Sequence, residues 1–311
     1  MQSPTDPDSP TRRGVDPARV RRALGAEGAP GARPDLDPGL SALTSLLGDE
    51  SPTVRAALSE EFQRRGRQAL RPLARAAASS DARVRSHARA LLGDLEFESS
   101  CRDLARYLAR PEPELEAGLW KLSALDRADF DARPYLRAPD AMARAVEERA
   151  QDFSDPLDRC KVLVHYLGEE LGYAGDVDAY TSPDNVLLHR TIERKKGLPL
   201  TLCALYAAVA RRVGLRTGLL PLPGHVMLRL FGRERNLIVD PFHGGEARTQ
   251  DSLMEYLAQH GLEFQPVWFQ SAPDQDLLKR QLLNLRNSMA RVGRVARARR
   301  LSRLLPLFEK R

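Results

Sequence analysis

Gly197-Leu-Pro-Leu-Thr-Leu-Cys-Ala-Leu-Tyr-Ala-Ala-Val-Ala-Arg-Arg-Val-Gly214 is the stretch on which the fold turns. From Leu198 to Val213 only Thr201, Tyr206, Arg211 and Arg212 interrupt an otherwise apolar run, so the helix it forms is buried rather than laid on a surface. Pro199 falls where a first helical turn tolerates proline, because an N–H there would have no intrahelical partner. Gly214 supplies the stop.

Downstream the periodicity becomes strand-like: Leu219 to Leu222, then His225-Val-Met-Leu-Arg-Leu-Phe231, a turn at Gly232-Arg-Glu-Arg235, and Leu237-Ile-Val-Asp240. The last two runs make a hairpin. Residues opposite each other on antiparallel strands have a constant index sum. A two-residue turn gives 465 and sets His225 directly across from Asp240. A four-residue turn gives 467 and leaves the pair diagonal but on one face, about 7–8 Å apart before side-chain reach, whereas a three-residue turn separates them. In either favourable register Asp240 can accept a hydrogen bond from the imidazole, fixing its tautomer and favouring its charged form. That is two thirds of a catalytic triad, and without a nucleophile it reads first as a tie across the hairpin.

Upstream, Tyr173-Ala-Gly-Asp-Val-Asp-Ala-Tyr180 and Ser182-Pro183-Asp184-Asn185 are dense in turn formers and read as a structured loop. Helical periodicity runs from Ala141 through Glu170 and ends at Gly172, after a loop-rich passage from Asp126 to Pro139. From about Asp37 the chain repeats with an offset of 30: Leu43 meets Leu73, Val54-Arg55 meets Val84-Arg85, and Leu58 meets Ala88. Gly48-Asp49, Ser79-Ser80-Asp81 and Pro111-Glu112-Pro113 punctuate this pattern as inter-helix turns. Residues 37–97 thereby resemble short HEAT-type repeats, which stack to bury a continuous core. Residues 1–36, rich in Pro, Asp, Gly and Arg, offer too little burial to offset the entropy of ordering and read as a disordered tail.

At the far end, Leu278, Leu282, Leu285 and Met289 form one stripe and Val295, Leu301, Leu304 and Leu305 a second, with Gly293 between, which predicts an antiparallel helix pair. Arg297, Arg299, Arg300 and Arg303 crowd the second helix. The formal net charge of +6 is concentrated here, since ten Lys/Arg stand against Glu309 alone over residues 280–311. This end would suit an acidic surface on a protein partner. No aromatic platform or reader motif accompanies the arginines, so nucleic acid is not expected as a partner.

The 311 residues, 42% apolar and 29% charged, can bury at least one full core. No run approaches the ~18 apolar residues of a membrane span, and residues 1–30 lack the order of a secretory signal, so a cytoplasmic location and no membrane partner are expected. Cys101, Cys160 and Cys203 have neither zinc-site spacing nor an even number, so three free thiols are expected. His243 could join His225 and Asp240 around a metal, but their spacing is not metal-specific. No metal or cofactor is therefore expected. Asn185 and Tyr206 could line a cleft or satisfy structural roles, and Trp268 and Phe269 are expected to cover the sheet edge.

The run 197–214, with Pro223-Gly224-His225 and Val239-Asp240-Pro241-Phe242-His243-Gly244-Gly245, resembles the SirB-type transglutaminase-like proteins. The match takes in Gly172-Tyr173 and the Asp184-Asn185 loop and fades toward Ser100. The resemblance implies an α+β fold with a papain-like core, in which a buried helix packs on an antiparallel sheet, and a tetratricopeptide-like C-terminal end. The domains would be a tail (1–36), HEAT-like repeats (37–97), a transglutaminase-like domain (98–270) and a basic helix pair (271–311).

In active transglutaminase-type enzymes a Gly-x-Cys opens the buried helix, where the dipole lowers the thiol pKa. Gly197-Leu198-Pro199 stands there in this chain, with the usual fifteen residues from that position to the glycine that ends the helix. Proline cannot attack. Cys203 lies one turn later, ~5–6 Å along the axis and away from the terminus, which favours an inert buried thiol. Thr201 is closer to the lost site. The expected function is a non-catalytic protein-binding or regulatory module that retains His225 and Asp240. The contrasting expectations are a thiol-dependent hydrolase or acyltransferase using Cys203, His225 and Asp240, and a scaffold whose repeats and basic helices do the binding.

Overall fold

Two hydrophobic cores share one long helix. The computed structural model describes residues 38–127 and 130–309, and the tail expected over 1–36 lies outside the described residues. The first core closes between α1 (Pro38–Ser45), α2 (Pro52–Arg65), α3 (Leu70–Ala76) and the start of α4 (Ala82–Leu108). It buries Leu47, Leu58, Phe62, Leu73, Ala88 and Leu91. Asp81 caps α4 by accepting from the amides of Arg83 at 2.8 Å and Val84 at 3.3 Å. The expected turn residues all fall at or between helix ends. α4 carries the chain into the second core through Phe97, Cys101 and Leu104. The 97/98 boundary thus falls inside a continuous helix.

The second core gathers α5 (Leu115–Ser123), α6 (Arg133–Arg149) and α7 (Pro156–His165). Two expectations are corrected here. The passage 126–139 is not loop throughout, because α6 begins at Arg133 and holds Pro139 in its interior. An interior proline costs about 3 kcal/mol. Burial of Leu136, Met142, Ala143 and Val146 on the same helix offsets it, at ~1.5–3 kcal/mol for each large apolar side chain. The periodicity from Ala141 to Glu170 is likewise divided: α6 ends at Arg149, and Asp155 caps α7 by accepting from Leu157 N at 3.0 Å.

The chain then pairs β1 (Ala174–Gly175) in parallel with β2 (Lys196–Gly197) around α8 (Leu188–Arg194). The buried helix follows as α9 (Pro199–Arg212), with every residue from Pro199 to Ala210 buried. Near its end Arg212 pairs with Glu116 at 2.8 Å and Asp140 at 2.7 Å, tying α9 to α5 and α6. A four-stranded antiparallel meander packs beside α9, comprising β3 (Arg216–Leu220), β4 (Met227–Phe231), β5 (Asn236–Asp240) and β6 (Glu246–Arg248). Strand β3 starts and ends earlier than the expected 219–222. Leu219, Leu228, Leu230 and Val239 join the α9 core. Leu220, Met227 and Ile238 instead meet α10 (Gln250–Gln259), Trp268 and Phe269. The segment after Phe269 bonds the β3 edge, with Ala272 N to Leu219 O at 2.9 Å.

The chain closes with α11 (Asp274–Arg291) and α12 (Val295–Ser302). Leu278, Leu282, Leu285 and Met289 are buried as the first stripe required, but of the second only Leu301 and Leu304 are buried, while Leu305 is half-buried and Val295, at the start of α12, is 47% exposed. The arginine run does not form one solvated face: Arg297 stacks 4.8 Å over Phe97, and Arg300 pairs with Glu98 at 3.0 Å, docking α12 on α4. Arg299 and Arg303 remain exposed. Among the described residues no helix is long and apolar enough to cross a membrane.

Candidate functional site

A tight turn places the imidazole. His225 N donates to Leu222 O at 3.1 Å, with Pro223 and Gly224 between them. Gly224 has φ +73°, the left-handed value that the third residue of a type II turn requires. Strand β4 then pairs with β5 so that Phe231 faces Asn236 and Leu228 faces Val239, an index sum of 467. The hairpin therefore has the four-residue turn, and His225 and Asp240 are diagonal.

Side-chain reach closes that diagonal: His225 Nε2 lies 2.9 Å from Asp240 Oδ2. His243 Nδ1 meets the same oxygen at 2.7 Å, and Phe242 N donates to Oδ1 at 3.0 Å. Burial raises the Asp240 pKa, but hydrogen bonds and charge from His225 and His243 outweigh it, and the carboxyl sits below its ordinary value. The second ring nitrogen of His225, Nδ1, has no hydrogen-bond partner among the described residues. The donor atoms of His225, Asp240 and His243 lie within 4.8 Å of one another. By type they could hold a cation, but only by giving up both imidazole–carboxylate bonds.

The place of attack is closed. Pro199 occupies the first turn of α9 and is buried. Cys203 is 0% exposed and donates Sγ–H to Val226 O at 3.3 Å. Burial pushes its pKa well above the ordinary value and the Asp240 charge adds to this, against a smaller opposing effect from Arg280. No hydrogen bond joins Cys203 to His225 among the described residues. Thr201 is spent on structure, donating to Asn185 O at 2.9 Å and accepting from Gln281 Nε2 at 2.8 Å. Cys101 and Cys160 are free and buried, with burial pushing the thiols up to about 12 and about 11.

Asn185 and Tyr206 do not line the site. Asn185 is buried, donating to Ala179 O at 2.7 Å and accepting from Arg194 at 2.8 Å. Tyr206 is buried with its hydroxyl on Tyr173 O at 3.5 Å. Two other rings flank His225, and a third packs behind one of them. Phe242 lies 5.8 Å from the imidazole and Tyr256 6.1 Å, while Tyr180 packs 5.8 Å from Phe242 and is 41% exposed. Phe242 can approach because residue 175 is glycine: a Cβ there would come within 2.4 Å of its ring. Tyr256 and Arg280, on α10 and α11, carry no local sequence signal for this site. They reach it from elements formed well downstream.

Residues 133–283, the span that holds Pro199, Cys203, His225, Asp240 and Arg280, match the family described as Transglutaminase-like superfamily. The chain carries a transglutaminase-like domain. It is 31% identical over 186 residues to the UPF0162 protein of Xylella fastidiosa, covering 58% of this chain and 66% of that relative. It is 27% identical over 189 residues to the UPF0162 protein PA3419 of Pseudomonas aeruginosa, covering 60% and 68% of the two chains. With the UPF0162 protein of Vibrio cholerae the identity is 26% over 154 residues, 48% of this chain and 57% of the relative. The chain thus spans just under two thirds of the Xylella relative that it matches. No solved structure matches it.

Proposed function

We propose that this protein is a non-catalytic, SirB-type transglutaminase-like protein that binds another protein at the face around His225, as a binding or regulatory module of the cytoplasm. The observation that carries the reading is the closed nucleophile position. Pro199 stands at the helix terminus, and the nearest thiol, Cys203, is 0% exposed and bonded to a backbone carbonyl. A displacement of about 1 Å can cost about 100-fold in rate, and this thiol faces a carbonyl instead of the imidazole. The His225–Asp240 pair then orients a largely buried imidazole beneath a recognition surface, with Phe242 between it and the exposed Tyr180. HEAT-like packing of the helices over 38–97 and a tetratricopeptide-like role for α11 and α12 suit a protein-binding chain, and three free thiols suit a reducing compartment.

Labelling with a thiol-reactive acyl probe across pH tests the catalytic half. Wild type and His225→Ala should label equally slowly at neutral pH; fast labelling lost in both Cys203→Ala and His225→Ala would establish a thiol enzyme. A photo-crosslinking residue at position 180 tests the binding half. It should trap a protein adduct in source cells, whereas the same residue at position 64, on α2, should not. Adducts at position 64 alone would assign the binding to the repeats.

A further inference from the structure

Arg280 carries a positive charge that no carboxylate among the described residues neutralises. From α11 its Nη1 donates to Leu222 O at 3.0 Å and its Nη2 to His225 O at 2.9 Å, the two ends of the turn that presents the imidazole. Arg190, Arg194, Arg212 and Arg300 each reach an acid within 3.0 Å, but no ion pair forms at Arg280. Burial pushes its pKa below the ordinary value, the direction expected of a cation that has lost water without gaining a counter-charge.

The two carbonyl bonds use two of the five guanidinium N–H groups, which leaves enough donors for a bidentate acceptor. The side chain is half-buried and not sealed. Its unbonded Nε is absent from the buried atoms that lack a partner, which include the Nε atoms of Arg159 and Arg248. The Tyr180 phenol lies within electrostatic reach of the guanidinium and is 41% exposed, whereas the Tyr256 hydroxyl is engaged by the same turn, donating to Pro223 O at 3.3 Å.

We propose that Arg280, together with the Tyr180 hydroxyl, forms a carboxylate-binding subsite that takes an acidic side chain or chain end of a protein partner. This rests on the protein-binding reading above and names what that face recognises. A single negative charge fits. One guanidinium and one neutral phenol offer one positive charge, and the Asp240 carboxylate, felt by Tyr256 and Cys203 nearby, disfavours a dianion. Arg280 has a double part: it pins the turn through its carbonyl bonds and presents its free edge to the ligand.

The test uses the full chain labelled with 15N-arginine, following side-chain Nε–Hε resonances during titration with sodium acetate, with sodium chloride at equal ionic strength and inorganic phosphate as parallel arms. One resonance, missing from Arg280→Lys, should shift saturably with acetate, with half-saturation on the order of 10 mM for so small a probe, and drift only weakly with chloride. Tyr180→Phe, altered at an exposed ring, keeps the test independent of the turn and should weaken acetate binding by about 2–10-fold, as for one lost hydrogen bond. Absence of saturation in wild type overturns the subsite, and phosphate saturating at lower concentration than acetate overturns its assignment to a protein carboxylate. An unchanged Tyr180→Phe removes that phenol from it. None of these variants alters Cys203, so the subsite and the non-catalytic reading fail separately.

Discussion

The molecule holds two His–Asp pairs of nearly the same length and quite different surroundings. His225 and Asp240 meet at 2.9 Å, and His189 and Asp126 at 3.1 Å. Asp240 is shared with a second imidazole, and His225, itself buried at 8% exposed, has its far nitrogen unbonded but not among the fully enclosed atoms that lack a partner. His189 is 0% exposed, its ring lies 4.7 Å from Phe130 and 5.4 Å from Tyr135, and its Nδ1 is buried with no partner. Asp126 there also holds Arg190 at 2.8 Å. The dyad alone therefore says little about function. A histidine whose second nitrogen is shut in can neither meet a ligand nor exchange a proton with one, and serves as a tie; one whose second nitrogen keeps some access can still meet a ligand.

The largest effect expected from this contrast is at the closed pair. His189→Ala removes a packed, fully buried ring and a partner of the half-buried Asp126 carboxylate, and should cost about 3 kcal/mol in urea unfolding. Asp240→Ala, which leaves two imidazoles and the Phe242 amide without their acceptor, should cost about 2 kcal/mol by the same measurement. His225→Ala also removes a buried ring beside Phe242 and Tyr256 but should cost about 1.5 kcal/mol, because Asp240 keeps His243 and Phe242 N. A loss as large as that of His189→Ala would make the two pairs equivalent ties and end the distinction.

The pH dependence sharpens it further. Asp240 and Asp126 both have pKa values lowered in the folded state, against burial that acts the other way. A depressed carboxyl contributes stability that is present above its unfolded pKa and lost as pH falls through the folded value. Unfolding free energy should therefore decline below about pH 4. Asp240→Asn and Asp126→Asn should each flatten part of that decline, additively if the pairs are independent.

Much of this was legible in sequence where the determining contacts are local. The limits of α9 follow from Pro199 and Gly214, and the sharing of a face by His225 and Asp240 follows from strand parity once the turn length is even. What was missed lies across long separations. His189 and Asp126 are 63 residues apart and Arg212 and Glu116 are 96 apart, while Arg280 reaches the carbonyl of His225 from 55 residues away. Pro139 misled for the opposite reason, because a strong local breaker signal was overridden by burial of the α6 stripe. The arginines of α12 look alike along the sequence, yet two dock on α4 and two stay exposed.

By itself, the sequence determined that a buried helix opens on proline where a thiol would be needed, and that a histidine and an aspartate share a hairpin face. Tertiary structure decided between the two turn lengths, turned Cys203 onto a backbone carbonyl, brought His243 to the same carboxylate and left Arg280 without a counter-charge. The physical reason is that periodicity and turn chemistry act over a few residues, whereas burial, desolvation and charge pairing depend on which distant elements close over a side chain.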